Sequence, residues 1–100
     1  MAARGPSKRR PRGQHDPSYR LLCDLVREAR EQAGLTQRGL ALALKRDRSY
    51  VWKSETGERR MDVIDLIRWM QACDADPLDL VRRLVQREGV QAVRGSKQAR

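Results

Sequence analysis

Several residue types that proteins commonly use are scarce or missing in this 100-residue chain. It has no Phe, its aromatic content is 4%, and it contains two Cys and one His. A metal site needs several ligands at close spacing, so neither the distant Cys23 and Cys73 nor the single His15 indicates one. We interpret both cysteines as reduced, partly buried thiols of a cytoplasmic protein, and we expect no bound metal.

Other absences exclude whole classes of protein. No apolar run approaches the roughly 18 residues that a transmembrane helix needs. No apolar segment of the kind that forms a secretory signal follows Met1, so secretion is not expected. The sequence also lacks a glycine-rich phosphate loop, a nucleophile elbow and a pair of catalytic carboxylates. We therefore expect neither an enzyme nor a cofactor.

The charge of the chain is strongly positive and is concentrated at its ends. The formal net charge is +9, with five basic residues and one acidic residue in segment 1–16. Both ends are rich in Gly, Pro, Ser, Lys and Arg, a composition that does not support a packed core. We predict a basic flexible arm at 1–16, one domain at 17–89 and a basic flexible tail at 90–100. The arm either contacts a polyanion or serves solubility or targeting.

The central region has the pattern of an all-α protein. Apolar and polar residues do not alternate over any segment, and β-branched residues are few. Asp16 followed by Pro17 is typical of a helix start, and Gly34 is typical of a helix end. Further caps at Thr36, Asp47, Asp62 and Asp76, with stops at Gly57 and Gly89, predict five short helices.

These five helices are expected to share one small core. Helical spacing places the following residues inward: Leu22, Leu25, Val26, Ala29 and Ala33 in the first helix; Leu40, Ala41 and Leu44 in the second; Tyr50 and Val51 in the third; Val63, Leu66, Ile67 and Met70 in the fourth; Leu80, Val81 and Leu84 in the fifth. Because Phe is absent, Leu, Val, Ile, Trp and Tyr must fill that core.

The segment 35–60, "LTQRGLALALKRDRSYVWKSETGERR", contains the second and third helices. Both are too short to be stable alone, so they must be held by packing between the first and fourth helices. When a tight turn joins two such helices, the second projects from the surface and has the width of the DNA major groove.

The motif residues of this segment, together with the glycine that precedes it, resemble the helix-turn-helix of the Cro and phage-repressor family, also called the xenobiotic-response-element-like family. They are Gly34, Leu35, Thr36, Gln37, Ala41, Ser49, Tyr50, Val51, Lys53, Glu55 and Gly57. The resemblance extends over about residues 19–87 and implies a compact, five-helix, lambda-repressor-like domain. The chain departs from the family pattern at Lys45 and Asp74, where Gly is common, at Gly39, which replaces a capping Glu, and at inward-facing Ser54.

The resemblance also implies roles for individual residues. Candidates for reading DNA bases are Arg48, Ser49 and Lys53, with Trp52 on the same face; the alternative for Trp52 is packing against the fourth helix. Candidates for phosphate contact are Gln37, Arg59 and Arg60. Arg30 and Glu55 are expected to form an inward ion pair that ties the first helix to the third.

Together these observations predict a sequence-specific, double-stranded DNA-binding regulator of transcription, of the repressor type, located with the nucleoid in the cytoplasm. A single recognition helix reads few base pairs, so we expect a homodimer on a two-fold site. Leu78 and Val85 are candidates for the dimer surface, unless they complete the core. The alternatives are an antitoxin that binds a toxin and represses its own operon, and a protein-interaction adaptor that does not bind DNA.

Overall fold

The computed structural model describes residues 16–88, so the arm and tail predicted at the two ends lie outside this range, except for Asp16. Five α-helices follow one another: α1 (Pro17–Gln32), α2 (Gln37–Leu44), α3 (Arg48–Thr56), α4 (Val63–Ala72) and α5 (Pro77–Arg83). A π-helical segment, Leu84–Glu88, continues α5. No strand occurs within residues 16–88. The predicted all-α, five-helix domain is therefore confirmed, and none of the described helices is long and apolar enough to cross a membrane.

Local sequence signals begin most of these helices. The side chains of Asp16, Thr36, Asp62 and Asp76 each accept a hydrogen bond from a backbone N–H in the first turn of α1, α2, α4 and α5, respectively. Each such bond satisfies a donor that has no partner inside the helix, and a cap of this kind typically contributes about 1 kcal/mol.

The predicted cap at the start of α3 is only partly correct. Asp47 occupies the N-cap position, but its side chain makes no capping hydrogen bond. Instead, the backbone N–H of Tyr50 donates to the Asp47 carbonyl at 2.9 Å. Because the Tyr50 N–H already has this main-chain partner, a second hydrogen bond from it to the Asp47 carboxylate would add little stability.

The turn between α2 and α3 keeps a left-handed backbone although it lacks glycine. Lys45 has φ 60° and ψ 44°, and its N–H donates to the carbonyls that end α2. The N–H of Arg46 donates to the carbonyl of Ala41 at 2.9 Å, which closes the helix end. Asp74, after α4, is likewise left-handed, with φ 57°. The two positions where glycine is common in the family thus keep the backbone that glycine favours, at a cost of about 1–2 kcal/mol each.

Trp69 is the largest fully buried side chain of the core, and sequence analysis did not single it out. Its indole Nε1 donates to the carbonyl of Val26 at 3.0 Å, which joins α4 to α1. The ten residues of the core cluster come from all five helices and the end of α4: Leu25, Val26, Leu40, Ala41, Tyr50, Val51, Trp69, Met70, Cys73 and Leu80. In a protein without Phe, the bulk of Trp69 takes the central place.

Three of the predicted inward positions are wrong. Val63 is 67% exposed, because α4 turns Asp65, Trp69 and Met70 inward instead. Ala33 is exposed because it caps the C-terminal end of α1. Val81 is 44% exposed, since Leu80 is the residue of α5 that enters the core.

The polar residue Ser54 is accommodated at its inward position. Its side chain is fully buried, and its hydroxyl donates to the carbonyl of Tyr50, one turn earlier in α3, at 2.8 Å. A buried hydroxyl is costly only when it lacks a partner, so this substitution does not open the core. The predicted thiols, Cys23 and Cys73, are free and buried, and burial raises the pKa of both.

Candidate nucleic-acid interface

The two sides of α3 differ sharply in character. Tyr50, Val51, Ser54 and Glu55 are buried, and this side packs against α1 and α2. The four residues that sequence analysis assigned to base reading, Arg48, Ser49, Trp52 and Lys53, are exposed. Their spacing of one, three and one residues places them along one side of the helix. The structure therefore brings these four side chains together on an outward face, which we call the α3 face.

The basic groups of the α3 face are free to meet a ligand. Among residues 16–87, no carboxylate oxygen lies within 4.0 Å of the charged nitrogens of Arg48 or Lys53. Guanine presents two acceptors, O6 and N7, in the major groove, and a guanidinium or ammonium group pairs with both. The exposed hydroxyl of Ser49 donates or accepts, which suits several bases.

Trp52 borders a cleft between α1 and α3. Its side chain is 45% exposed, and it lines an opening of about 360 Å³ together with Arg20, Arg27, Gln37 and Thr56. Arg20 and Arg27 of α1 line this cleft with the indole, and none of its lining residues belongs to α4. A cleft lined by an indole and by arginine side chains is suited to a sugar–phosphate chain as well as to a thymine methyl group.

Arg30 of α1 and Glu55 of α3 lie in direct contact. Arg30 Nε is 2.6 Å and Nη2 is 3.2 Å from the two carboxylate oxygens of Glu55, and their side chains are only 11% and 5% exposed. Arg30 also donates to the carbonyl of Leu35, and its hydrogen bond to Glu55 raises the pKa of the guanidinium. Paired, charge-assisted bonds of this kind fix the relative orientation of the two helices.

Gln37 extends this pair to α2. Its Nε2 donates to Glu55 Oε1 at 3.1 Å. The predicted phosphate-contact residue is therefore held by the same carboxylate that anchors α3, and the second hydrogen of its amide NH2 group is the donor left for a phosphate oxygen. Sequence analysis assigned Gln37 and Glu55 separate roles, and their spacing in the sequence carries no signal for the contact.

A second arginine of α1 supports the far end of α3. Arg20 Nη1 donates to the carbonyl of Thr56, the last residue of α3, at 2.9 Å. The final carbonyls of a helix lack partners inside it, and a cation near them also complements the helix dipole. Sequence analysis missed Arg20, because it is one of several arginines in α1.

The two arginines that follow α3 are stacked on core tyrosines. The guanidinium carbon of Arg59 lies 4.6 Å from the centroid of the Tyr50 ring, and that of Arg60 lies 4.5 Å from the centroid of the Tyr19 ring. Stacks of this kind contribute about 0.5–2 kcal/mol each. The loop between α3 and α4 is thereby held to the domain at two points.

Asp65 of α4 is a further anchor that sequence analysis missed. Its Oδ2 accepts hydrogen bonds from Arg59 Nη1 at 3.2 Å and from the backbone N–H of Asp62 at 3.1 Å. Burial raises the pKa of this carboxyl, but the hydrogen bonds from Asp62 and Arg59 outweigh burial and hold the pKa below its ordinary value. Asp65 is thus held in the form that pairs with Arg59.

Comparison with known proteins places this geometry in context. A family model described as a helix-turn-helix domain matches residues 21–84. A solved structure, an XRE-family like protein from Pseudomonas syringae pv. tomato str. DC3000, is 40% identical, with a TM-score of 0.68. The match covers 78% of this chain and 92% of that one. None of the curated protein sequences matches.

Proposed function

Because this chain belongs to the XRE family of helix-turn-helix proteins and is in general terms a DNA-binding regulator of transcription, we propose that it is a repressor that reads a specific double-stranded site with α3. The observation that carries the proposal is the α3 face, whose Arg48 and Lys53 have no carboxylate oxygen within 4.0 Å among residues 16–87. Membership of this family points to a regulatory role rather than an enzymatic one.

In this proposal, bases and backbone are contacted by different groups. Arg48 and Lys53 bind guanine O6 and N7, Ser49 adds a hydrogen bond, and Trp52 contacts a thymine methyl group or a sugar. Gln37, Arg59 and Arg60 contact phosphates on either side. Each of these last three already has an intramolecular partner that orients its side chain, which reduces the entropy lost on binding.

The proposed repressor acts as a homodimer in the cytoplasm, on DNA of the nucleoid. One α3 spans only a few base pairs, so useful specificity requires two copies on a two-fold site. The exposed apolar residues near the end of the domain support a paired surface: Leu78 is 69%, Val81 is 44% and Val85 is 59% exposed. Their spacing of three and four residues places them along one side of α5 and its continuation.

The antitoxin and adaptor alternatives remain proposals of lower rank. The adaptor hypothesis would gain support if Lys45 or Ser54 distorted the helix-turn-helix. Lys45 keeps the left-handed turn, and Ser54 has its hydrogen-bond partner, so neither residue disturbs α3. No feature of residues 16–88 favours a toxin partner in particular, and we keep DNA-mediated repression as the primary proposal.

Selection of binding sites from a random duplex library tests this function. The enriched site then allows affinities for specific and random duplexes to be compared at one fixed salt concentration. Arg48→Ala and Lys53→Ala should each lose roughly 1–3 kcal/mol on the selected site and relax preference at one or two positions. Arg59→Ala should weaken specific and random duplexes alike, because phosphates carry no sequence information.

The ratio of specific to random affinity is the decisive quantity. A ratio that falls for Arg59→Ala but not for Arg48→Ala or Lys53→Ala would show that the assigned docking is wrong. Wild-type affinity in all three variants would instead favour the protein-interaction adaptor.

A further inference from the structure

One aromatic ring in α3 holds two arginines. The guanidinium carbon of Arg46 lies 4.3 Å from the centroid of the Tyr50 ring, and that of Arg59 lies 4.6 Å from the same centroid. Arg46 belongs to the turn before α3, and Arg59 belongs to the loop after it. A single tyrosine therefore positions a cation from each end of the recognition helix.

The Tyr50 ring and the backbones of both arginines are held in place by contacts within the domain. Tyr50 is 8% exposed, and its ring lies 6.4 Å from the ring of Trp69, centroid to centroid, in the core. The N–H of Arg46 donates to Ala41 at the end of α2, and the N–H of Arg59 donates to Lys53 at 3.1 Å. Each arginine is thus constrained at its backbone N–H and at its guanidinium group.

The two arginines differ in how their charge is compensated. Arg59 is paired with Asp65 at 3.2 Å. Arg46 is exposed, and no carboxylate oxygen of residues 16–87 lies within 4.0 Å of its nitrogens. A guanidinium that lies over a ring and has no carboxylate partner has N–H groups left to donate, and their fork geometry matches a phosphate.

The position of Arg46 favours contact with the DNA backbone rather than with base edges. Tyr50 lies on the buried side of α3, so a side chain stacked on it stands apart from the α3 face. When a helix enters the major groove, its outward residues meet base edges, while flanking residues meet the sugar–phosphate chains. A preoriented cation at such a flank loses little conformational entropy on binding.

Building on the proposed DNA-binding function, we propose that Arg46 binds a DNA phosphate beside the N-terminal end of α3, and that Tyr50 is a positioning residue that aims it. Arg46 therefore contributes more to the electrostatic part of binding than Arg59, whose charge Asp65 already balances. The sequence pattern assigned no role to Arg46.

The salt dependence of binding to a mixed-sequence duplex of about 20 base pairs tests the phosphate contact. With the full chain, Arg46→Ala should reduce the slope of log affinity against log salt by about 0.9. Between 50 and 200 mM salt, the wild type should then lose about 3.5-fold more affinity than the variant. Arg46→Gln, which keeps a long polar side chain, should behave in the same way.

Arg68→Ala is the matched control. It removes the same charge from an exposed arginine of α4 that, like Arg46, has no carboxylate oxygen of residues 16–87 within 4.0 Å of its nitrogens and does not lie in a segment that flanks α3. Its slope should equal that of the wild type. An equal decrease in both variants would show a general effect of net charge and would overturn the proposal.

A double-mutant cycle tests the role of Tyr50. Tyr50→Phe should keep the wild-type slope, because the ring remains. Tyr50→Leu should weaken binding, and adding Arg46→Ala to it should cost less than Arg46→Ala does in the wild type. Strictly additive losses, with helicity by circular dichroism unchanged, would show that Tyr50 does not position Arg46.

Failure of this inference differs from failure of the proposed function. A wild-type protein that binds the duplex with normal salt dependence, while Arg46→Ala keeps the same slope, would overturn the phosphate contact and leave DNA binding intact. A wild-type protein that binds no duplex at any salt concentration would overturn both.

Discussion

Replacing Arg30 with Met should strongly destabilise the domain. The side chain of Glu55 is only 5% exposed, and in the variant it would keep one side-chain donor, Gln37, of the two that it has. Removing one partner of a buried pair costs about 3–5 kcal/mol, because the other charge stays buried and uncompensated. Met retains much of the apolar stem of Arg, so little of this loss comes from packing.

This loss is large compared with the stability of a small domain. Domains of this kind are stable by about 5–15 kcal/mol in total. For a chain of this size, each kcal/mol lost from the free energy of unfolding lowers the melting temperature by about 4–8 °C, so the melting temperature of Arg30→Met should be at least about 12 °C below that of the wild type. Urea unfolding followed by far-ultraviolet circular dichroism gives the free energy directly.

Arg27→Met provides the control within the same helix. Arg27 pairs with Glu31 at 3.1 Å, but both side chains are more than half exposed, at 60% and 53%. Exposed pairs typically contribute about 0–1 kcal/mol, so this variant should unfold close to the wild type. If the two variants have the same urea midpoint, the contact between Arg30 and Glu55 does not contribute as a buried pair, and the reasoning is refuted.

Three further predictions concern the loop, the turn and the arm. The pKa of Asp65 lies below its ordinary value of 3.8, so the ionised carboxylate stabilises the fold above that pH, and this stabilisation disappears as the pH falls through the folded-state pKa. The stability difference between the wild type and Asp65→Asn should therefore be constant above about pH 5 and shrink below about pH 4. A difference that stays constant over the whole range would exclude this linkage. Lys45→Gly should raise the free energy of unfolding by about 0.5–1 kcal/mol, because relief of left-handed strain exceeds the entropy that glycine adds to the unfolded chain, and an unchanged thermal melt would show that Lys45 is unstrained. Deleting residues 1–14 should reduce the salt slope of DNA binding by about 0.9 for each phosphate that the arm neutralises, and an unchanged slope would show that the arm does not touch DNA.

The sequence was sufficient to locate the five helices and most of their boundaries. Caps such as Asp16 and Asp62, and stops such as Gly34, act through hydrogen bonds between residues at most five apart, so the chain itself specifies them. Its resemblance to a known family also identified Arg30 and Glu55 as partners, which periodicity alone does not do. The same local rules located the exposed side of α3, because its buried residues repeat at helical spacing.

Only the tertiary structure decided which side of α4 faces the core and which contacts hold the arginines that flank α3. Apolar residues occur around much of α4, so spacing did not distinguish Val63 from Trp69; the bond from the indole to Val26 of α1 accompanies the burial of Trp69. In the same way, nothing in the sequence indicates that Arg46 and Arg59 share the ring of Tyr50. Helix formation depends on neighbours within one or two turns, whereas the bond between Trp69 and Val26 joins residues that meet only after the helices have packed.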